Sequence, residues 1–276
     1  LCALFLGMSA FIRAANFPLI FLSLPIIFLI IISKNFSNKK SLICLSFFFL
    51  IALLPVSNRL FNNIIHNDTF SLTSQAGSHI AYWMIPGILS VSEGMDRSSS
   101  LDYVNTRIKN EGGLTGKNYI DSKIMVKVSQ DIIFEQSLFN ISYAWLKSSV
   151  LNIVTSSILL DRRVRNLDHP SFSEAQNITQ WVKSILLEKD NLLYGKILMM
   201  TSIISLFTGF AFIIGFYSFV KENIFMSIIS SFIIIYFSLI TGPVISPKYC
   251  LPFIPIIIYC QSITLAKLFY FINNRN

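Results

Sequence analysis

The chain has 276 residues, of which 53% are hydrophobic and only 13% are charged. Because soluble globular proteins carry about 25% charged residues, this composition excludes an ordinary soluble domain and indicates a membrane protein. The net charge of +8 does not indicate nucleic-acid binding, because the basic residues lie in short clusters beside apolar runs, where they act as topology signals.

The first apolar run, residues 1–12, is shorter than the roughly 20 residues that a helix needs to cross a bilayer. It begins at Leu1 without the basic leader of a signal peptide. We therefore expect this run to be the outer end of a truncated span, and the chain to be the C-terminal part of a longer polytopic protein.

Five later runs are long and apolar enough to be full spans, namely residues 17–33, 41–57, 195–219, 223–242 and 249–270. The sequence thus predicts an all-α polytopic membrane protein with about five full transmembrane helices and one truncated helix. Its predicted regions are transmembrane helices in 1–57, a mostly helical extracytoplasmic segment in 58–194, and three transmembrane helices with a short cytoplasmic tail in 195–276.

The orientation follows from the basic residues of the short loops. Lys34, Lys39 and Lys40 fill the link between the second and third spans, which the positive-inside rule places in the cytoplasm. The segment 58–194 is then outside, and Lys221 and the tail with Lys267 and Arg275 are inside. Among the cations of the short loops, Arg13 and Lys248 are the two that this scheme places on the outer face, where topology gives no reason for them.

The segment 58–194 is too long for an ordinary connection, so we expect it to be functional. Residues 58–78 are polar and rich in Asn and Ser, which predicts irregular structure. Residues 79–91 are apolar and aromatic but too short to span, which predicts an interfacial or re-entrant helix.

Two further helical stretches are predicted in the same segment. Ser100-Leu101-Asp102 is expected to cap a short helix that Gly112-Gly113 ends. From about 120 to 160, apolar residues recur at near-helical spacing between polar ones, which predicts an amphipathic stretch lying on the membrane or on the protein. The cluster Asp161–Arg165 ends this stretch.

Arg13 and Lys248 are the strongest candidates for a binding site. Each stands where a helix begins, Arg13 shortly before Pro18 and Lys248 after Pro247, and a helix N-terminus offers free N–H groups to an anion. The alternative is that each cation snorkels to lipid headgroups. Tyr249 is either a further hydrogen-bond donor to the anion or an interfacial anchor.

His79 and Glu93 are the further candidates, in the outer segment. Glu93 lies near Asp96 and Asp102, and such carboxylates act as general bases or metal ligands, or are simply solvated. No second histidine or cysteine stands at ligand spacing from His79, so no metal site is predicted, although a divalent metal is left open as a cofactor.

Two stretches resemble a known family. LGMSAFIRAANFPLIFLSLPIIFLI resembles the Gly-x(5)-Arg-x-x-x-x-Pro helix pair of GT-C superfamily membrane glycosyltransferases, especially the protein-mannosyltransferase and aminoarabinose-transferase-like group. ISPKYCLPFIPIII resembles their late Arg-Tyr-x-x-x-x-x-Pro segment at the outer end of a near-terminal span. Those proteins also carry a large extracytoplasmic region between the two motifs.

The resemblance implies inverting transfer of a sugar from a polyprenyl-phosphate donor to a glycan, lipid or protein acceptor, on the outer face of a bacterial inner membrane. It implies that Arg13 and Lys248 contact the lipid-linked phosphate, with Tyr249 beside them. Lys248 stands where the family more often has arginine, and lysine neutralises a phosphate only as a point charge. The family's acidic catalytic residue is expected upstream of Leu1, so no catalytic residue is assigned within the chain.

Two other classes of protein are alternatives. An O-antigen polymerase or ligase also combines many spans with one large outer loop, usually rich in arginine or histidine. A non-enzymatic transporter or assembly scaffold tends to place ionisable or helix-breaking residues near mid-membrane in paired halves, whereas these spans carry no charge at their centres and show no halves.

Overall fold

A computed structural model of the chain describes residues 1–33, 38–154, 158, 161–168, 178–187 and 192–274, and within these ranges the chain is helical, with no strand. Five of the described helices are long and apolar enough to cross a membrane. The protein is therefore an all-α polytopic membrane protein, as the composition predicts. Lys34 and Arg275, used in the predicted topology, lie outside the described residues.

The chain forms two compact units. One comprises Leu1–Gly77 with Leu114–Ile124, and the other comprises Ser78–Gly113 with Met125–Asn276. The predicted boundaries at residues 57 and 194 do not coincide with this division. They concern which residues cross the membrane, not which residues pack together, and they stay a prediction.

The first unit includes the whole of helices α1 (Cys2–Ile12), α2 (Phe17–Ser33) and α3 (Asn38–Asn67). Helix α1 is too short to span, whereas Ala14–Ile31 and Lys39–Asn67 are candidate spans. Gly7 lets α1 approach α3 closely, because a Cβ atom there would overlap the carbonyl of Ala52. Small residues at such contacts are typical of helix packing in membranes, where van der Waals contact drives association.

The predicted irregular structure of residues 58–78 is wrong for residues 58–67 and 75–78, because α3 continues to Asn67 and a further helix begins at Gln75. Val56, Leu60 and Asn63 are buried and recur at helical spacing, so one face of the extension packs on the unit. Asn63 donates a side-chain hydrogen bond of 2.7 Å to the carbonyl of Ser71. The buried polar side chain of Asn63 therefore has a hydrogen-bond partner. Composition alone did not reveal that the buried residues recur at helical spacing.

Between the candidate spans, the chain forms a series of shorter helices. They are α4 (Gln75–His79), a π-helical turn (Ile80–Met84), α5 (Ile85–Ser92), α6 (Arg97–Asn110), α7 (Asn118–Glu135), α8 (Leu138–Val154), α9 (Arg162–Arg165) and α10 (Ile178–Leu187). The prediction of a short helix over 79–91 is confirmed, with the π-helical turn as an unpredicted part of it. The end of the amphipathic stretch near 155–160 lies largely outside the described residues.

Two predicted details of these helices are corrected by their caps. Helix α6 begins at Arg97 rather than near Ser100, because the Asp96 side chain accepts a hydrogen bond of 2.7 Å from the Ser99 N–H. The amphipathic stretch is two helices, because the Ser137 hydroxyl accepts a hydrogen bond from the Asn140 N–H and so starts α8. The predicted end of α6 at Gly112-Gly113 is confirmed, with both glycines at positive φ.

The second unit contains the last three candidate spans, which include α11 (Leu192–Glu222), α12 (Ile224–Thr241) and α13 (Ile254–Asn273). A 3₁₀ helix, Pro247–Phe253, precedes α13, so the last span begins with 3₁₀ rather than regular α-helical turns. The prolines at 247, 252 and 255 remove backbone N–H donors, and proline disfavours the α conformation of the residue before it.

Candidate functional site

Arg13 stands in the first unit, at the break between α1 and α2. Its backbone is extended, and a 3₁₀ turn, Ala14–Asn16, joins it to α2. The turn is held by hydrogen bonds of 2.9 Å from the Arg13 N–H to Ser9 and from the Asn16 N–H to Arg13. The guanidinium is exposed and forms no ion pair with a described carboxylate. A candidate span begins at the next residue, three residues before the predicted start at residue 17.

Lys248 stands in the second unit, as the second residue of the 3₁₀ helix, and the last candidate span begins there. Its side chain is exposed, and its Nζ atom lies 5.1 Å from the centre of the Tyr249 ring. No described carboxylate forms an ion pair with it. A lysine in this state presents an uncompensated positive charge at the end of a membrane span.

His79 is brought to Lys248 and Tyr249 from a distant part of the chain. Its ring lies 6.4 Å from the Tyr249 ring, centre to centre, in an edge-to-face arrangement. Burial lowers the pKa of the His79 imidazole from its usual value, and the positive charge of Lys248 lowers it further. The histidine is therefore neutral at pH 7, which leaves Lys248 as the charged member of the group. We call His79, Lys248 and Tyr249 the histidine–lysine group.

Helix α8 holds the turn that precedes this group. The Asn152 side chain is buried; its Nδ2 donates to the Val244 carbonyl at 2.9 Å, and its Oδ1 accepts from the Ser246 N–H at 2.6 Å. Two turns earlier in α8, the Trp145 Nε1 donates to the Leu239 carbonyl at 3.0 Å. In a longer helix that carbonyl would accept from residue 243, which is a proline without an N–H.

The π-helical turn and α5 pack against the same part of the chain. Gly242 has a φ of 69°, which favours glycine, and a Cβ atom there would lie 2.5 Å from Met84 Cγ. A Cβ atom on Gly87 would overlap the carbonyl of Pro243. Residues 242–246, which precede Lys248, are therefore held by α8 and by the π-helical turn and α5, which follow His79 directly in the chain. π-Helical turns are rare and occur often at functional sites.

Glu93, the other predicted loop residue, does not join the histidine–lysine group. Its exposed carboxylate accepts a hydrogen bond of 3.0 Å from Gln136 Nε2. Nearby Asp96 serves as the cap of α6, and hydrogen bonds from Ser99 lower the pKa of its carboxyl. Within the part of the chain that the structure describes, no group of three or more His, Cys, Asp or Glu side chains is placed to hold a metal ion.

Asn152, Trp145, Met84 and Gly87 support the site but were not predicted. The sequence showed only that α8 carries an asparagine among apolar and small residues, and that pattern does not identify the hydrogen-bond partner of the asparagine.

The fold defines the class as an integral membrane protein. No protein-family model, curated protein or solved structure matches the chain.

Proposed function

We propose that the protein is a membrane glycosyltransferase that moves a sugar, with inversion, from a polyprenyl-phosphate donor to a glycan, lipid or protein acceptor. The proposal places the segment 58–194 and the reaction on the extracytoplasmic face of a bacterial inner membrane. The observation that carries it is the exposed charge of Lys248 at the start of a membrane span, without a carboxylate partner among the described residues.

A lipid-linked phosphate suits this position. The hydrocarbon tail of such a lipid lies among apolar spans, while its phosphate lies at the membrane interface. The protein must therefore offer a cation at the end of a span. A lysine ammonium with no competing carboxylate forms charge-assisted hydrogen bonds with phosphate oxygens. The extracytoplasmic placement rests on the positive-inside distribution of the lysines in the short loops and the tail.

The other two members of the histidine–lysine group add hydrogen-bonding capacity without adding charge. A neutral imidazole has one N–H donor and one acceptor nitrogen, and a phenol both donates and accepts. Such groups bind sugar hydroxyls or phosphate oxygens. Arg13 belongs to the other unit, and its contact with the donor phosphate stays a prediction from the family resemblance.

The proposal is tested by binding of polyprenyl phosphate to the protein in lipid nanodiscs. Lys248→Ala should weaken binding by about 10- to 100-fold, because a hydrogen bond to a charged group contributes roughly 1.5–3 kcal/mol. Lys248→Arg should retain most of the affinity. Lys109→Ala is the matched control, since Lys109 is an exposed lysine of α6.

Arg13→Ala is measured in the same assay and should also weaken binding. Transfer is then followed with a polyprenyl-phosphate-linked sugar in proteoliposomes, where loss of transfer should parallel loss of binding. Unchanged affinity in Lys248→Ala would contradict the phosphate site. Tight binding without any sugar transfer to membrane-derived acceptors would instead favour a carrier or scaffold.

A further inference from the structure

Helix α8 has two opposite faces of different character. Ala144, Ser148 and Asn152 are buried and recur every four residues on the inner face, which packs on the protein. The outer face carries four large side chains with high exposed fractions: Phe139 (77%), Tyr143 (49%), Leu146 (63%) and Val150 (50%). Their spacing of four, three and four residues places them on one side of the helix.

The outer face is a continuous apolar surface. The Phe139 and Tyr143 rings are stacked, with centres 6.3 Å apart and planes within 7° of parallel. Lys147 is the only charged residue of α8, and it stands at the edge of this face, where its long stem can carry the ammonium to the headgroups. A surface of this kind is unfavourable in water, and contiguous exposed apolar patches mark protein or membrane contacts.

The contacts of the inner face of α8 indicate whether its outer face contacts protein or membrane. Trp145, one residue from Ala144, donates its hydrogen bond to Leu239 in the last turn of the spanning helix α12. Leu239 is itself 58% exposed, so the exposed apolar surface of α12 extends to its last turn. The end of a span lies at the bilayer boundary, and tryptophan is enriched there. A helix bonded to that point lies at the same boundary.

We propose that α8 is an interfacial helix whose outer face is inserted among lipid acyl chains, while its inner face holds the Val244–Ser246 turn before Lys248. Amphipathic helices of this kind lie in the plane of the membrane with their apolar face about 5–10 Å below the headgroups. The lipid contact thereby helps to set the depth of the Lys248 charge. This proposal is independent of the sugar transfer proposed above.

Spin labels on α8 test the inserted face in vesicles of phosphatidylethanolamine and phosphatidylglycerol. The exposed Cys2 and Cys44 are replaced by serine, and single cysteines are introduced at Phe139, Leu146 and Val150. Each label should collide more often with oxygen, which concentrates in acyl chains, than with a water-soluble nickel chelate. A label at Asn105, exposed on the polar helix α6, is the control and should show the reverse preference.

Two results would overturn the proposal. Ready access of the nickel chelate to all three α8 labels would show that the face is in water. Protection from both reagents would show that protein covers it, either another part of this chain, a second copy or a different chain. The parent protein without an introduced cysteine, labelled in parallel, measures any signal from the buried Cys250 and Cys260.

Discussion

The side chain of Asn152 accepts a hydrogen bond of 2.6 Å from the backbone N–H of Ser246, two residues before Lys248. It also donates to the Val244 carbonyl, so a single amide satisfies two backbone groups of one turn. Pro243 and Pro247 flank this turn and lack N–H groups, so no regular helical ladder passes through it. The start of the 3₁₀ helix therefore depends on a side chain from α8.

Asn152→Ala should destabilise the protein by about 1–3 kcal/mol, because it leaves a backbone donor and a buried acceptor without partners. Asn152→Asp should be at least as damaging, since a carboxylate oxygen would face the Val244 carbonyl. Thermal unfolding in detergent measures the effect. Asn140→Ala on the same helix is the control, because the Asn140 side chain has no hydrogen bond among the described residues; equal stability of the two alanine variants would contradict the role of Asn152.

Gly87→Ala should also destabilise the protein. A methyl group at Gly87 overlaps the Pro243 carbonyl, which is backbone and cannot rotate away, so α5 and the 242–246 segment must separate. Overpacking of this kind costs roughly 1–3 kcal/mol. Ser90→Ala, at an exposed position of the same helix, should leave the unfolding temperature unchanged. If the two variants unfold alike, the close contact between Gly87 and Pro243 is absent.

His79 should make stability depend on pH. Above about pH 6.5, the ordinary pKa of histidine, the imidazole is neutral in both the folded and the unfolded state. Because burial and Lys248 lower the folded pKa, the unfolded state binds the proton more readily as the pH falls below that value. Stability should therefore decrease below about pH 6.5 until the lowered folded pKa is reached.

Unfolding measured between about pH 7.5 and about pH 5.5 checks this dependence, which His79→Gln should reduce. Lys248→Gln should also reduce it, because loss of the positive charge raises the pKa of His79 towards its ordinary value. Lys109→Gln removes a distant charge of the same sign and should leave the profile unchanged. A wild-type profile identical to that of His79→Gln would show that the histidine does not titrate as inferred.

Asn110→Cys should be labelled from outside the cell by a membrane-impermeant maleimide. The residue is exposed at the end of α6, and the predicted topology places this segment outside the cytoplasm. Lys221→Cys, at the other predicted face, should react only after permeabilisation. Both variants are made in a background without Cys2 and Cys44, and the opposite labelling pattern would invert the topology.

Much of the membrane architecture could be predicted because hydrophobic length is a local property. The run 17–33 coincides with α2, and 223–242 differs from α12 by one residue at each end. Predictions that depended on a single capping group were less accurate. Asp96, rather than Ser100, starts α6, and Ser137 divides the amphipathic stretch into two helices.

The site was only partly predictable. Lys248 could be singled out because its charge conflicts with the predicted positive-inside pattern of the lysines in the other short loops, which is visible along the chain. His79 could be named as a candidate, but its packing on Tyr249 could not, because that contact joins distant segments. Asn152 had no local signal at all, since its partners are backbone groups, which every residue has.

By itself the sequence determined that the chain spans a membrane and where most spans lie, and it singled out Lys248 as a candidate. These properties follow from the free energy of transferring side chains into lipid, which is summed over neighbouring residues. Only the tertiary structure decided that His79 lies against Tyr249 and that α8 holds the turn before Lys248. Those contacts depend on shape and hydrogen-bond geometry between segments that are far apart in the chain, which hydrophobicity and spacing do not encode.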